Sequence, residues 1–186
     1  MKRNSLILGL LLSLLMGCAG SSYMVKATPP EAPAPGKAAV YFMRPSSMGY
    51  AVKFQIWDGT YFVGLSQAKS YCACQCDPGK HLFLGIAENK VALEADLEAG
   101  KSYYVGTNVR MGAWKARMNF TPVTRNSELW DKVDDYKKSL NFIAVVEEER
   151  AKWEVSKRQE AQGLVDYYSQ GPGKGEVLRL NKEDGR

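Results

Sequence analysis

The sequence predicts a mainly β protein: an antiparallel β-sandwich, immunoglobulin-like or similar, of seven or eight strands, followed by a C-terminal α-helical extension. Three observations carry this. Val91, Leu93, Ala95 and Leu97 alternate with Glu94, Asp96 and Glu98, the period of a strand with one wet face. Asp58-Gly59 separates two aromatic and β-branched runs, the strongest short-range hairpin signal. Near Thr124 the apolar spacing changes from two to the three-and-four spacing of a helix.

The chain begins Met1-Lys2-Arg3, followed by an apolar run from Leu6 to Met16 broken only by Gly9 and Ser13. That run is too short to cross a bilayer, which takes about 20 helical residues. Basic residues ahead of it and small residues behind make it a signal-peptide core. Leu15-Met16-Gly17-Cys18 matches a lipobox, with Met16 a departure at its middle position. Cleavage before Cys18 frees its thiol for a diacylglycerol and its amino group for a further acyl chain, such as palmitate. Two or three such chains anchor a protein almost irreversibly, at about 0.8 kcal/mol per buried CH₂. Ala19 rather than Asp follows the cysteine, which favours the outer membrane, facing the periplasm.

The expected organisation is a leader at 1–17, an acylated N-terminus and Pro-rich tether at 18–36, a β domain at 37–124, a helical extension at 125–170 and an arm at 171–186. The tether holds Pro29, Pro30, Pro33 and Pro35, four of the eight prolines. Such a run is extended and semi-rigid and reaches up to about 50 Å. Strands are expected at Ala39–Met43, Phe54–Trp57, Thr60–Val63, the stretches through Leu84 and Leu93, Ser102–Val109 and Ala116–Phe120. Ser127 is a plausible N-cap, and Leu129, Val133, Tyr136, Leu140 and Ile143 form one helical stripe. Glu148 with Lys152 and Glu154 with Arg158 stand at i,i+4 on a solvated helix beyond. Glu176 to Leu180 reads as a short strand or an extended arm.

Several motifs occur in a recognisable order: Val40-Tyr41 leading to Arg44-Pro45-Ser46-Ser47, then Asp58-Gly59, Pro78-Gly79-Lys80-His81, and Gly100-Lys101-Ser102-Tyr103-Tyr104. Over residues 37 to 123 this resembles a family of bacterial lipoproteins built on a domain of unknown function. The resemblance implies a small β-sandwich in the envelope and no established activity. Cys72, Cys74 and Cys76 depart from the family's pattern, which has ordinary strand residues there.

Those three thiols and His81, the sole histidine, lie within ten residues. Three readings stand side by side: small apolar residues on an inner strand face, which is favoured; a disulfide within one pair; and a zinc or copper(I) site of thiolates and imidazole. Consecutive Cys-x-Cys positions on a flat strand set Cα atoms nearly 7 Å apart, which tells against the second and third. His81 by itself reads as a hydrogen-bonded turn residue. Arg44, Ser46, Ser47 and Tyr50 compose the loop best suited to a partner, although Arg44 would equally pair with a strand acid.

No serine-hydrolase elbow, phosphate loop or isolated carboxylate pair is present in the sequence. Loss of Lys2 and Arg3 with the leader reduces the formal charge of +5 by two, which leaves little case for nucleic acid. The expected function is that of a lipid-anchored envelope protein, structural or partner-binding rather than enzymatic. Its partners are the membrane, through acyl chains on Cys18, and an envelope protein; no cofactor is assigned. The alternative is a metal-binding or thiol redox module centred on Cys72, Cys74, Cys76 and His81.

Overall fold

A computed structural model describes residues 23–111 and 116–186. The leader and Cys18 lie outside them. The described chain is mainly β with a long C-terminal helix, and none of its helices is long and apolar enough to cross a membrane.

The strands are β1 (Met24–Lys26), β2 (Ala38–Arg44), β3 (Phe54–Asp58), β4 (Tyr61–Ser66), β5 (Ser70–Cys76), β6 (Gly79–Ile86), β7 (Lys90–Leu97), β8 (Ser102–Met111), β9 (Ala116–Pro122), β10 (Asn141–Val145) and β11 (Leu178–Leu180). The helices are α1 (Val133–Ser139) and α2 (Glu147–Ser169). One sheet has the order β1-β10-β5-β2-β8-β9 and the other β11-β7-β6-β3-β4. The expectation of purely antiparallel pairing is corrected. β2 runs parallel to β8, β10 to β5, and β11 to β7. The chain leaves β2 for the other sheet and returns as β5 on one side. It leaves again through β6 and β7, then returns as β8 on the other side. Such crossovers are what parallel neighbours require.

The two sheets share a core in which Phe42 of β2 meets Phe83 of β6 with ring centroids 5.2 Å apart. All seven residues of β2 are buried. Ala38, Val40 and Phe42 face the shared core. Ala39, Tyr41 and Met43 face a second cluster, covered by Leu129, Trp130, Val133, Tyr136 and Leu140.

That cover is where the expected stripe went. Four of its residues do pack on one surface, but only Val133–Ser139 is α-helical, and Lys132 rather than Ser127 precedes it. The stretch Asn141–Val145, with its Phe-Ile-Ala-Val run, becomes β10 between β5 and β1. Its backbone finds two strand partners, a gain the side-chain period does not report.

The run read as a free spacer is docked over its described part, from Tyr23 onward. β1 pairs with β10, the Tyr23 ring meets Trp153 edge-on at 5.4 Å, Tyr41 Oη donates to the Pro30 carbonyl, and Ala34 N donates to Gln75 Oε1 at 3.0 Å. The 171–186 arm adds β11 to the edge of β7 and places the Ser102 N–H on the Arg186 carbonyl at 2.8 Å.

Helix α2 covers an exposed edge. β4 ends its sheet, so Phe62 presents an unpaired N–H and C=O there. Glu154 Oε1 accepts the Phe62 N–H at 3.0 Å, and Arg150 donates to the Phe62 carbonyl. Glu154 is thereby drawn away from Arg158. The ion pairs within the helix are i,i+3 instead: Glu147–Arg150, Glu149–Lys152 and Lys157–Glu160.

Candidate functional site

Cys72, Cys74 and Cys76 alternate along β5 and all face the shared core, each buried. The separation expected along a strand holds for the backbone and fails at the sulfurs. Cys74 and Cys76 Sγ are 2.8 Å apart, with the Cys76 thiol directed at Cys74. Rotation about χ1 carries each sulfur along the strand direction, so two like-facing thiols can converge although their Cα atoms do not. Cys72 stands apart from this pair. Burial pushes its thiol up to about 12, an inert group at neutral pH.

Cys76 ends β5. The chain then crosses through Asp77 and Pro78 to open β6 at Gly79, whose φ of +119° suits the residue without a Cβ. His81 follows on β6. Asp58 ends β3, the strand beside β6, opposite Phe83 in register and therefore diagonal to His81 on the same face. The crossing folds the end of one sheet over the end of the other. In consequence Asp58, Cys76 and His81 bring one carboxylate oxygen, one sulfur and one ring nitrogen within 4.8 Å of each other.

Within this cluster His81 is tightly held. Its Nδ1 lies 2.7 Å from Asp58 Oδ2 and its Nε2 lies 2.8 Å from the Asp77 carbonyl. A carbonyl only accepts, so Nε2 carries a hydrogen. The hydrogen bond to Asp58 then holds the imidazole pKa above its ordinary value, against the opposing effect of burial. The Cys76 thiol is pushed strongly upward, first by its hydrogen bond to Cys74 and next by burial. A cysteine nucleophile with a histidine base needs the opposite arrangement: a depressed thiol and a free ring nitrogen aimed at it. His81 also lines a shallow cleft of about 430 Å³ with Lys80, Glu94, Asp96, Ser169 and Arg179. The cluster therefore lies at the margin of the core, within reach of solvent.

Asp58 carries no warning in the sequence. It reads as half of a hairpin turn, and only the sheet register reveals that it closes on His81. The composition-based site, with three thiols and one imidazole, becomes one thiol, one imidazole and one carboxylate, with the Cys74 thiol against that of Cys76.

The loop after β2 has a different character. Arg44 is 1% exposed and its guanidinium points inward. Nη1 donates to the Val52 carbonyl at 2.8 Å and, at 3.4 Å, to that of Ser66. Nη2 donates to Met48 and Gly49 at 2.8 and 2.9 Å. Its partners are thus carbonyls rather than a strand acid, and it lies against the Phe54 ring. Ser46 Oγ accepts the Met48 N–H, Ser47 is exposed, and Tyr50 is the most open aromatic of the loop at 77%. Arg44 shapes this loop from beneath while Ser47, Met48 and Tyr50 form its outer surface.

No family model, curated protein or solved structure matches the chain.

Proposed function

We propose that this chain is a lipid-anchored protein of the bacterial cell envelope, acylated on Cys18 and held at the outer membrane facing the periplasm, with a structural or partner-binding rather than catalytic role. The observation that carries this reading is Leu15-Met16-Gly17-Cys18 behind a short apolar leader. The resemblance to lipoproteins built on a domain of unknown function supports it. In this reading the two mixed sheets form a β-sandwich whose partner surface is the Ser47-Met48-Tyr50 loop. The absence of a catalytic role rests on His81, both of whose nitrogens are engaged, and on a Cys76 thiol raised far from its reactive form.

The docked strand β1 alters the geometry of anchoring. Only residues 19–22 stand between the acylated cysteine and Tyr23, the first described residue, which packs on Trp153 beside β1. The five Cα-to-Cα steps from Cys18 to Tyr23 reach at most about 18 Å. The domain would rest close to the headgroups rather than stand far off on a long spacer.

Metabolic labelling with an alkyne palmitate in a bacterial host tests the reading. The expected result is label on the full chain, its loss in Cys18→Ser, and accumulation of the unprocessed precursor when lipoprotein signal peptidase is inhibited. An unlabelled protein released into the soluble periplasmic fraction would overturn it.

A further inference from the structure

We propose that Asp58, Cys74, Cys76 and His81 form a binding site for one zinc-class divalent cation, at the margin of the core where β5 crosses over to β6. Asp58, Cys76 and His81 bring their donor atoms within 4.8 Å of one another. Cys74 joins them as the fourth donor by moving in from beside Cys76, whose sulfur it touches at 2.8 Å. The donors come from three strands of both sheets, so the site exists only in the folded chain. The ion would tie the two sheets together at the end where the crossing leaves them open.

The donor set selects the metal. Two thiolates and an imidazole exclude calcium and magnesium, which take oxygen ligands. A carboxylate in the set disfavours copper(I), which is satisfied by soft sulfur ligands. Zinc accepts sulfur, nitrogen and carboxylate oxygen together in a tetrahedron.

A separate observation points the same way. A metal-bound histidine almost always donates its other ring N–H to a carbonyl or carboxylate, which fixes the ring and its tautomer. His81 does this through Nε2 to the Asp77 carbonyl at 2.8 Å, leaving Nδ1 as the atom turned into the cluster. The Asp77 side chain is itself paired with Lys37 at 2.7 Å, which steadies the segment carrying that carbonyl.

The distances set what binding must do. Zn–S bonds of about 2.3 Å in a tetrahedron place two sulfurs about 3.8 Å apart. Cys74 and Cys76 Sγ stand at 2.8 Å and the Asp58–His81 pair at 2.7 Å. Each pair opens by up to about 1 Å as the ion enters between them, a movement that side-chain rotation supplies. Three protons leave to solvent, one from each thiol and one from Nδ1. No electron is transferred. Cys72 takes no part.

The test uses the purified full chain in detergent micelles, kept reduced, with Zn(II) and then Co(II) as probes. One equivalent of zinc should bind. Co(II) should give sulfur-to-cobalt charge-transfer absorption and the intense visible bands of a tetrahedral centre. Cys76→Ser, His81→Gln and Asp58→Asn should each weaken zinc binding at least tenfold, while Cys72→Ala leaves it unchanged. The release of close to three protons per zinc is an independent readout on the unmutated protein. Weak octahedral cobalt bands would overturn the proposal. So would less than a tenth of an equivalent of zinc, or equal loss of affinity in Cys72→Ala. A Cys74–Cys76 disulfide, found as a loss of two mass units and persisting under the reducing conditions used, would replace the metal site with a redox pair.

Discussion

Trp153 of α2 lies flat on Phe62 of β4, with ring centroids 4.9 Å apart and planes 5° from parallel. Phe62 in turn packs on Trp57 in the shared core at 5.0 Å. The first half of a helix whose surface is dominated by charge is thus joined to the interior through an aromatic column, and its second half through Ala161 and Tyr168. Ala161 and Tyr168 are its only fully buried residues.

Trp153→Ala should therefore loosen α2 more than any other single truncation in its first half. A fully buried tryptophan costs about 3–5 kcal/mol to truncate. Trp153 is half-buried, so about 2 kcal/mol is expected. Limited proteolysis should show new cleavage between Arg150 and Arg158 while the sheets stay protected. Equal protease resistance of mutant and parent would show that Glu154 and Arg150 hold the helix without the ring.

Arg44 gives a second prediction. Its burial lowers the guanidinium pKa from the ordinary value, the mark of a charge removed from water. Carbonyl oxygens of Met48, Gly49, Val52 and Ser66 replace that water. Arg44→Met keeps the apolar stem and removes the fork, so the Met48, Val52 and Ser66 carbonyls lose the guanidinium while Gly49 keeps only the Val52 N–H. About 2–3 kcal/mol of stability should be lost, since an orphaned buried polar group costs about 1–3 kcal/mol and the open side of the loop can rehydrate. Arg44→Lys should rescue little of this, because one ammonium cannot span both arms of the loop. Amide exchange at Val52, whose N–H bonds the Gly49 carbonyl, is the local readout. Unchanged protection there in both variants would remove Arg44 from the loop's support.

These two residues mark the limit of what the sequence reveals. Arg44 was legible as important and misleading as to direction: its composition suggests display, and its burial makes it a scaffold. Trp153 was visible as the one large apolar side chain of a charged helix, but not that Phe62 would meet it. Most strands follow from alternation, because a half-buried strand writes its two faces into adjacent residues. The parallel pairings are not written anywhere locally; they follow from where crossovers land. β10 was hidden because Leu140 and Ile143 satisfy a helical stripe while the intervening residues satisfy a strand. Asp58 is the sharpest case. Its place in the thiol and imidazole cluster depends on register between β3 and β6, a property of the pair of strands.

Gly64 offers a test of the docked N-terminal strand. Its φ is +150°, and a Cβ built there would stand 2.8 Å from Met24 Cε and 3.1 Å from Met24 Sδ. Leu65 N also donates to that sulfur at 3.4 Å. Gly64→Ala adds backbone strain and displaces Met24, the one buried residue of β1. Overpacking of this kind costs about 1–3 kcal/mol. Trypsin should cut after Lys26 faster in the variant, and Gly64→Ala combined with Met24→Ala should recover part of the loss by making room. If the double variant is no better than the single one, strain at φ rather than contact with β1 is responsible.

His81 is the only histidine, so its imidazole can be followed as a single resonance in the metal-free protein. The hydrogen bond to Asp58 is the largest influence on it and raises its pKa above the ordinary value of 6.5. A group whose pKa is raised on folding binds its proton more tightly in the folded state than in the unfolded one. Its contribution to stability is fully present below the unfolded pKa, near 6.5, and is lost as pH climbs through the folded value. Stability attributable to this pair should therefore fall as pH rises from about 6.5, which is opposite to the sense expected of a carboxylate whose pKa is lowered by an ion pair. Asp58→Asn removes the charged acceptor, so the resonance should titrate at lower pH and that loss should flatten. A His81 midpoint unchanged by Asp58→Asn would mean that the Asp77 carbonyl, rather than Asp58, sets the proton affinity of the ring.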